Sequence, residues 1–247
     1  MSACLRSRYR NWQIVFVFWQ MPKYIYYLYF IPLVMGALAS LRSFRAPWAP
    51  FYRIFSLFLI GTLCTEIFAV SWKFWLHETR WWHLPKSNLW IYNLYYIPQY
   101  ISYYYFFYKA MEKGTIKRSI FLLTSSIVVV GGLFNIFFIQ GVRELDTYTI
   151  IIGSMGVIFF CFCYMRQEPQ HQTRWVAIKE PLFWISTGAL VFHMAALPYF
   201  VFINYLSKHD IKLALSLFMI ILFVNIVMYT TYLISFICSR PYLQKQS

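Results

Sequence analysis

The chain has 247 residues, of which 60% are hydrophobic, 23% are aromatic and only 12% are charged, about half the charged fraction of a soluble domain. This composition excludes an ordinary soluble protein. A net charge of +14 would indicate nucleic-acid binding in a soluble chain, but the 22 basic residues lie almost entirely between or just outside long apolar stretches. We therefore predict that these residues contact a lipid bilayer with anionic headgroups, and we predict no nucleic-acid partner.

Seven apolar stretches recur along the chain, and each is close to the roughly 20 residues that a helix needs to cross a bilayer. They are Tyr24–Leu41, Tyr52–Trp72, Asn88–Tyr108, Ser119–Gln140, Tyr148–Met165, Pro181–Tyr205 and Ile211–Cys238. Their apolar runs are continuous rather than alternating, which favours helices over the strands of a barrel. The predicted fold class is all-α: a polytopic membrane protein with a bundle of seven transmembrane helices over residues 24–240.

Residues 1–23 are predicted to form an N-terminal tail or an interfacial segment, and Met21 is an alternative translation start. One side of the predicted bundle carries twelve Lys and Arg residues and the other carries ten. Without Arg6, Arg8 and Arg10 the split becomes twelve to seven. Because cytoplasmic loops carry the excess of positive residues, we expect the N-terminus outside and the C-terminus inside, with a short cytoplasmic tail over residues 241–247.

Three prolines, Pro32, Pro98 and Pro198, fall inside predicted spans. A proline within a helix kinks it or frees a carbonyl, which can open a cavity between helices. Irregular packing alone would explain the same prolines, and the two interpretations are equally strong.

Two connectors are candidates for contacts outside the bundle. The loop Trp72–Lys86 interleaves tryptophans with charged residues, as in a lid over a ligand, although an aromatic belt that anchors an interfacial helix is the favoured interpretation. The segment Arg166–Glu180 is the longest polar connector and lies on the predicted cytoplasmic side. Its basic residues Arg166, Arg174 and Lys179 are the predicted docking surface for a partner protein.

Glu66 is the one acidic residue well inside a predicted span. Because a carboxyl group in lipid is costly, its presence there indicates a functional site. A structural hydrogen bond between the second and third spans explains the same residue equally well. The other spans offer no basic residue at this depth, so we expect a neutral or hydrogen-bonded carboxyl group rather than an ion pair.

The third span supplies polar candidates at helical spacing. They are Asn88, Tyr92, Tyr95, Gln99 and Ser102, with Asn93 as a further amide. Residues spaced three and four apart share one helix face, and lipid cannot satisfy an amide group, so this face should point into the bundle. Interhelical hydrogen bonding is the favoured interpretation, and ligand binding is the alternative.

His193 in the sixth span, with Asn225 and Tyr229 in the seventh, could line the same interior. A single histidine in a span is more often a packing residue than a proton relay or a metal ligand. The histidines show no metal-binding spacing, and the chain carries no nucleotide-binding or hydrolase signature. We therefore predict no metal, no cofactor and no assigned catalytic residue.

Four segments of the chain resemble a known group of proteins. They are Tyr29–Gly36, Phe58–Glu66, Asn88–Tyr95 and Pro181–Leu190. The chain is similar there to small seven-helix membrane proteins of Bacteroidota, which often lie beside or are fused to sensor histidine kinases. The resemblance implies a sensory or regulatory module in the bacterial inner membrane that signals to a separate partner. It marks Glu66, Asn93 and the pair Phe183 and Trp184 as motif positions without known roles.

The predicted function is a membrane sensor that binds a small or lipid-like ligand near Glu66 and signals to a histidine kinase or another signalling protein. Its candidate ligand-binding residues are Glu66, Tyr92, Asn93, Tyr95, Gln99, His193, Asn225 and Tyr229. The alternatives are an intramembrane lipid-modifying enzyme and a small transporter, both built around Glu66.

Overall fold

The computed structural model describes residues 27–45, 48–76, 87–111, 116–141, 144–167 and 180–237. This part of the chain contains α-helices and no strands. The helices are α1 (Phe30–Ser40), α2 (Pro50–Ser71), α3 (Leu89–Ala110), α4 (Arg118–Phe134), α5 (Thr147–Gln167), α6 (Pro181–His209) and α7 (Ile211–Ile237). The predicted tails 1–23 and 241–247, Arg174 and Lys179, and most of the tryptophan-rich loop lie outside the described residues.

Each of the seven predicted apolar stretches contains one helix, so the all-helical fold class is confirmed. Five of the helices are long and apolar enough to cross a membrane, which indicates an integral membrane protein. The apolar segment that contains α1, Phe30–Phe44, is shorter. Helix α3 has 22 residues but includes eight tyrosines, which make it less apolar. Seven spans and their orientation therefore stay predictions.

The helix bounds show where the prolines of the predicted spans lie. Helix α1 begins at Phe30 and not at Tyr24, so Pro32 lies in its first turn, where a backbone N–H has no partner within the helix. Pro32 therefore does not interrupt α1. Pro98 and Pro198 do lie inside their helices, and Pro181 opens α6 at a first-turn position as predicted.

The helices pack as a ring. Each helix contacts the next in the order α1, α2, α3, α5, α6, α7, and α7 also contacts α1. Helix α4 packs against α3 and α5 from outside this ring. Phe137 and Phe138, in the π-helical turn that follows α4, are about three-quarters exposed. Such exposed apolar side chains on the outer helix are suited to lipid contact.

The two ends of the ring differ in chemistry. At the end where α2 begins and α3 and α7 finish, the rings of Phe55 and Phe106 lie 4.8 Å apart and those of Phe55 and Tyr232 lie 5.0 Å apart. The Tyr103 and Tyr232 hydroxyls share a hydrogen bond of 2.6 Å nearby. We call this the aromatic end. The opposite end, where α1, α3, α5 and α7 begin, carries Glu66, Asn93 and Asp146, and we call it the polar end.

Two glycines let α5 approach α3 closely. A Cβ atom on Gly153 would collide with the ring of Tyr100, and one on Gly156 would collide with the Tyr104 hydroxyl. The absence of these side chains brings tyrosine hydroxyls of α3 within reach of α5 carbonyls, and Tyr104 donates to the Gly153 oxygen at 2.9 Å. Small residues serve the same purpose in other helix contacts within membranes.

Candidate ligand-binding site at the polar end

Glu66 connects three helices through a single oxygen atom. The hydroxyls of Tyr29 and Tyr92 both donate to its Oε2 atom, each at 2.8 Å. Tyr29 immediately precedes α1, Tyr92 lies near the start of α3, and Glu66 lies near the end of α2. The half-buried carboxyl group therefore joins α1, α2 and α3 at the polar end.

A second polar contact joins α2 to α3 one turn deeper. The Thr62 hydroxyl lies 2.9 Å from the Phe58 oxygen and 2.5 Å from the Tyr95 hydroxyl. Because the only hydroxyl hydrogen of Thr62 goes to the Phe58 carbonyl, Tyr95 donates to Thr62. Thr62 and Glu66 are four residues apart and share one face of α2. The predicted tyrosine face of α3 thus meets the predicted acidic residue of α2.

The same face continues to the end of α2, where Asn88 Nδ2 donates to the Ala69 oxygen at 3.4 Å. Asn88, Tyr92 and Tyr95 therefore each bond to α2, in antiparallel order. Ser102 donates instead to the Pro98 oxygen of its own helix at 2.7 Å, and Gln99 is half-buried. The predicted polar face is a set of interhelical bonds at its first three positions.

The second carboxylate oxygen of Glu66 is the open position of this cluster. Among the described residues, no hydrogen bond reaches Oε1. The ring of Tyr29 stacks on that of the buried Tyr229, with centroids 6.3 Å apart and an interplanar angle of 24°. A carboxylate oxygen suits a hydrogen-bond donor with positive charge, because an ammonium group gains from a charged acceptor.

Two other predicted site residues lie on α6 and α7. His193 is buried, and its Nδ1 atom lies 3.0 Å from the Ser154 hydroxyl of α5, while its Nε2 atom has no hydrogen-bond partner. The centroid of its ring lies 5.6 Å from that of the Tyr103 ring on α3. Asn225 is half-buried on α7, one turn before Tyr229. His193 thus bonds to α5 and not to Glu66.

Asn93 faces away from Glu66, although Tyr92 beside it bonds to that residue. Its Nδ2 atom donates to the Glu144 oxygen at 2.8 Å, and its Oδ1 atom accepts from the Asp146 backbone N–H at 3.0 Å. Successive residues of an α-helix point about 100° apart, so neighbours on α3 reach different helices. Asn93 therefore belongs to a second polar region, which sequence reasoning missed.

This second region surrounds Asp146, a fully buried residue that immediately precedes α5. Asn135 Nδ2 and the Thr149 backbone N–H both donate to its Oδ1 atom. The Thr149 bond, 3.1 Å long, is an ordinary helix N-cap. Burial raises the pKa of the Asp146 carboxyl group, and the hydrogen bonds from the Asn135 amide and the Thr149 backbone N–H oppose part of that rise.

Further bonds extend this region to α6. Gln140 Nε2 donates to the Thr147 hydroxyl at 2.9 Å, and Gln140 Oε1 accepts from the Thr147 backbone N–H at 3.1 Å. Asn204 Nδ2 of α6 reaches the same hydroxyl at 3.3 Å. We call Asn93, Asn135, Gln140, Asp146, Thr147, Thr149 and Asn204 the Asp146 network. The capping aspartate before an apolar helix was the available sequence signal for it.

Two remaining predictions concern docking and metals. Arg166 is exposed at the end of α5, while its predicted companions lie outside the described residues. Within the described part of the chain, no group of three His, Cys, Asp or Glu residues is placed to hold a metal ion.

The comparisons with known proteins leave the family open. No family model, no curated protein and no solved structure matches this chain. The resemblance to seven-helix proteins of Bacteroidota therefore stays a prediction, and the assignment of this chain rests on its own residues: it is an all-helical integral membrane protein with two polar regions at one end of its bundle.

Proposed function

We propose that this protein is a sensory or regulatory module of a bacterial inner membrane that binds a small or lipid-like ligand at Glu66 and signals to a separate partner. The observation that carries the proposal is the carboxyl group of Glu66, which holds α1 and α3 through Oε2. Its Oε1 atom remains available to a ligand.

The ligand class follows from these surroundings. A carboxylate oxygen favours a ligand with an ammonium group, free or in a lipid headgroup. A neutral ligand would gain the hydrogen bond alone. The cationic ligand therefore binds more tightly at this site.

Signalling follows from the helices that meet at Glu66. A ligand that draws the carboxyl group toward itself weakens its bonds to Tyr29 and Tyr92, which belong to the starts of α1 and α3. A ligand shifts such an arrangement only by its difference in affinity for the two states. With the N-terminus outside, the polar end faces outward, and the partner, such as a histidine kinase, docks on the cytoplasmic surface that includes Arg166.

Ligand binding is tested with the purified protein in nanodiscs of neutral lipid. Choline and ethanolamine are the cationic probes, glycerol is the neutral probe, and the melting temperature is measured. We expect both amines to raise it in the wild type and to lose this effect in Glu66→Gln, which keeps an acceptor oxygen for the tyrosines. Asp210→Asn, which removes an exposed carboxylate at the same end, is the charge-matched control and should retain the effect.

Signalling is tested by crosslinking in cells at native expression, followed by mass spectrometry. We expect a signalling protein crosslinked near Arg166. An equal amine response in Glu66→Gln would contradict the ligand site. Recovery of the protein without any signalling partner, or uptake or lipid turnover that depends on Glu66, would contradict the sensory function and favour a transporter or an enzyme.

A further inference from the structure

The Asp146 network contains three buried oxygen atoms without a hydrogen-bond partner. They are Oδ2 of Asp146, Oδ1 of Asn135 and Oγ1 of Thr149. The three residues are 0%, 2% and 2% exposed, so bulk water does not reach them. Buried polar atoms are nearly always paired with protein, ordered water or an ion, and three unpaired ones in a single network therefore indicate a bound group.

Asp146 contacts both of the other residues. Asn135 Nδ2 and the Thr149 backbone N–H both bond to its Oδ1 atom. The unpaired atoms are the second carboxylate oxygen of Asp146, the amide oxygen of Asn135 and the hydroxyl of Thr149. Asn135 also begins the π-helical turn Asn135–Ile139 that closes α4, and such turns are frequent at functional sites. The oxygens are thus held by the end of α4 and the start of α5.

The charge balance indicates what the bound group is. The Asp146 carboxylate brings a full negative charge, and the N-terminus of α5 offsets roughly half of it. The remaining deficit is about half a charge, so one added positive charge leaves the site nearer to neutral than two would. All three donors are oxygens, which suit hard cations, whereas calcium sites usually offer several carboxylates.

We propose that Asp146, Asn135 and Thr149 bind a monovalent hard cation, with Na⁺ as the first candidate. The site is separate from Glu66 and goes beyond the proposed sensory function. A bound cation would pair the three oxygens, neutralise the buried carboxylate and hold the ends of α4 and α5 together. In membrane transporters the C-terminal ends of half-helices coordinate monovalent ions, and Asn135 lies at the C-terminal end of α4.

The experiment uses the full-length protein in neutral-lipid nanodiscs, titrated with NaCl, KCl or MgCl₂ and compared at equal ionic strength without any amine. A cation that binds only the folded state raises the melting temperature until its site is saturated. We expect this saturable rise with Na⁺, a smaller one with K⁺, and with Mg²⁺ only the non-saturable effect of ionic strength.

Two variants locate the effect. Asp146→Asn keeps the N-cap, since asparagine caps as well as aspartate, and should abolish the Na⁺ response. Thr149→Val keeps the backbone bond and removes the hydroxyl. It should raise the Na⁺ concentration needed for the half-maximal response at least tenfold. Asp210 caps α7 through the Leu213 N–H at 3.1 Å but is exposed, so Asp210→Asn should respond like the wild type.

Three results would overturn the proposal. A wild type whose melting temperature is the same in every salt would show that ordered water or a proton satisfies the oxygens. A Na⁺ response retained in both Asp146→Asn and Thr149→Val would place the ion elsewhere. A response confined to Mg²⁺ would rule out the monovalent assignment.

Discussion

Glu66 and Asp146 reverse the burial that their positions in the sequence predict. Glu66 lies within a long apolar segment, yet it is half-buried and bonds to two tyrosine hydroxyls. Asp146 lies in a connector, yet it is fully buried and bonds to an amide and a backbone N–H. A position inside an apolar helix thus does not by itself indicate a buried side chain, because the neighbouring helices decide which faces are covered.

The two regions also differ in which of their polar atoms have hydrogen-bond partners. The Glu66 cluster, which comprises Glu66, Tyr29 and Tyr92, has its donors in place and one available acceptor atom. The Asp146 network has three buried oxygens without donors. This difference is what the two proposals rest on: a ligand from the membrane or its surface at Glu66, and a group held within the protein at Asp146.

The largest expected effect comes from separating α3 from the Asp146 network. Asn93→Leu removes the acceptor of the buried Asp146 N–H and the bond to the Glu144 oxygen. Since each buried bond lost with one partner retained costs about 1–3 kcal/mol, we expect destabilisation of about 2–4 kcal/mol. Thermal or denaturant unfolding in detergent measures it.

Asn88→Leu is the matched control, because Asn88 makes one long bond to α2 at 3.4 Å. It should cost less than about 1 kcal/mol. Equal losses in the two variants would show that the Asp146 network is no more important to the fold than the contact of Asn88 with α2.

The next effect concerns the dependence of stability on pH in cation-free buffer. Burial raises the pKa of Asp146, so the folded protein holds a proton that the unfolded chain releases above about pH 3.9. The wild type therefore loses stability as the pH rises from that value through the raised folded-state pKa. Asp146→Asn lacks this loss, and its amide can donate to the unpaired oxygens of Asn135 or Thr149.

The measurement is the melting temperature from about pH 4 to about pH 8, with Asp210→Asn as control. We expect Asp146→Asn to be more stable than the wild type near neutral pH, by about 1 kcal/mol. Parallel profiles for the wild type and Asp146→Asn would contradict the burial of this carboxyl group.

An effect of similar size is expected for each tyrosine in the Glu66 cluster. Tyr92→Phe and Tyr29→Phe each remove one hydroxyl from Oε2 and should each cost about 0.5–1.5 kcal/mol. Because both hydroxyls bond to the same atom, the double variant should not equal the sum of the two. Unfolding of the single and double variants measures this coupling.

Tyr105→Phe is the control for these variants. The Tyr105 side chain is 37% exposed, so this substitution should change the stability by nearly zero. Strict additivity of Tyr29→Phe and Tyr92→Phe would show that the two tyrosines do not share the carboxyl group.

The smallest effect is expected at Ser102, which shares the predicted polar face but bonds to the Pro98 oxygen of its own helix. Ser102→Ala should change stability by less than about 0.5 kcal/mol, since it breaks no interhelical contact. A loss of stability as large as that of Tyr92→Phe would show that Ser102 also takes part in bonding between helices.

Much of the candidate site was accessible from the sequence. The pairing of Glu66 with the tyrosine face of α3 follows from one acidic residue in an apolar span and from polar residues spaced three and four apart. The Tyr29 bond was not accessible, because Tyr29 precedes α1 and reaches Glu66 only when α1 packs beside α2. Asn93 and His193 bond to residues other than Glu66 for a related reason: spacing along one helix says nothing about the helix that faces each side chain.

The sequence by itself determined the seven helices of the described chain, since long apolar runs must satisfy their backbone groups internally, and prolines and capping residues mark where several of them begin. Only the tertiary structure decided that α3 lies between α2 and α5. This position sends Tyr92 to Glu66 and Asn93 to the Asp146 network. Helical periodicity sets the angle between two neighbouring side chains, but the packing order of the helices sets what each of them meets.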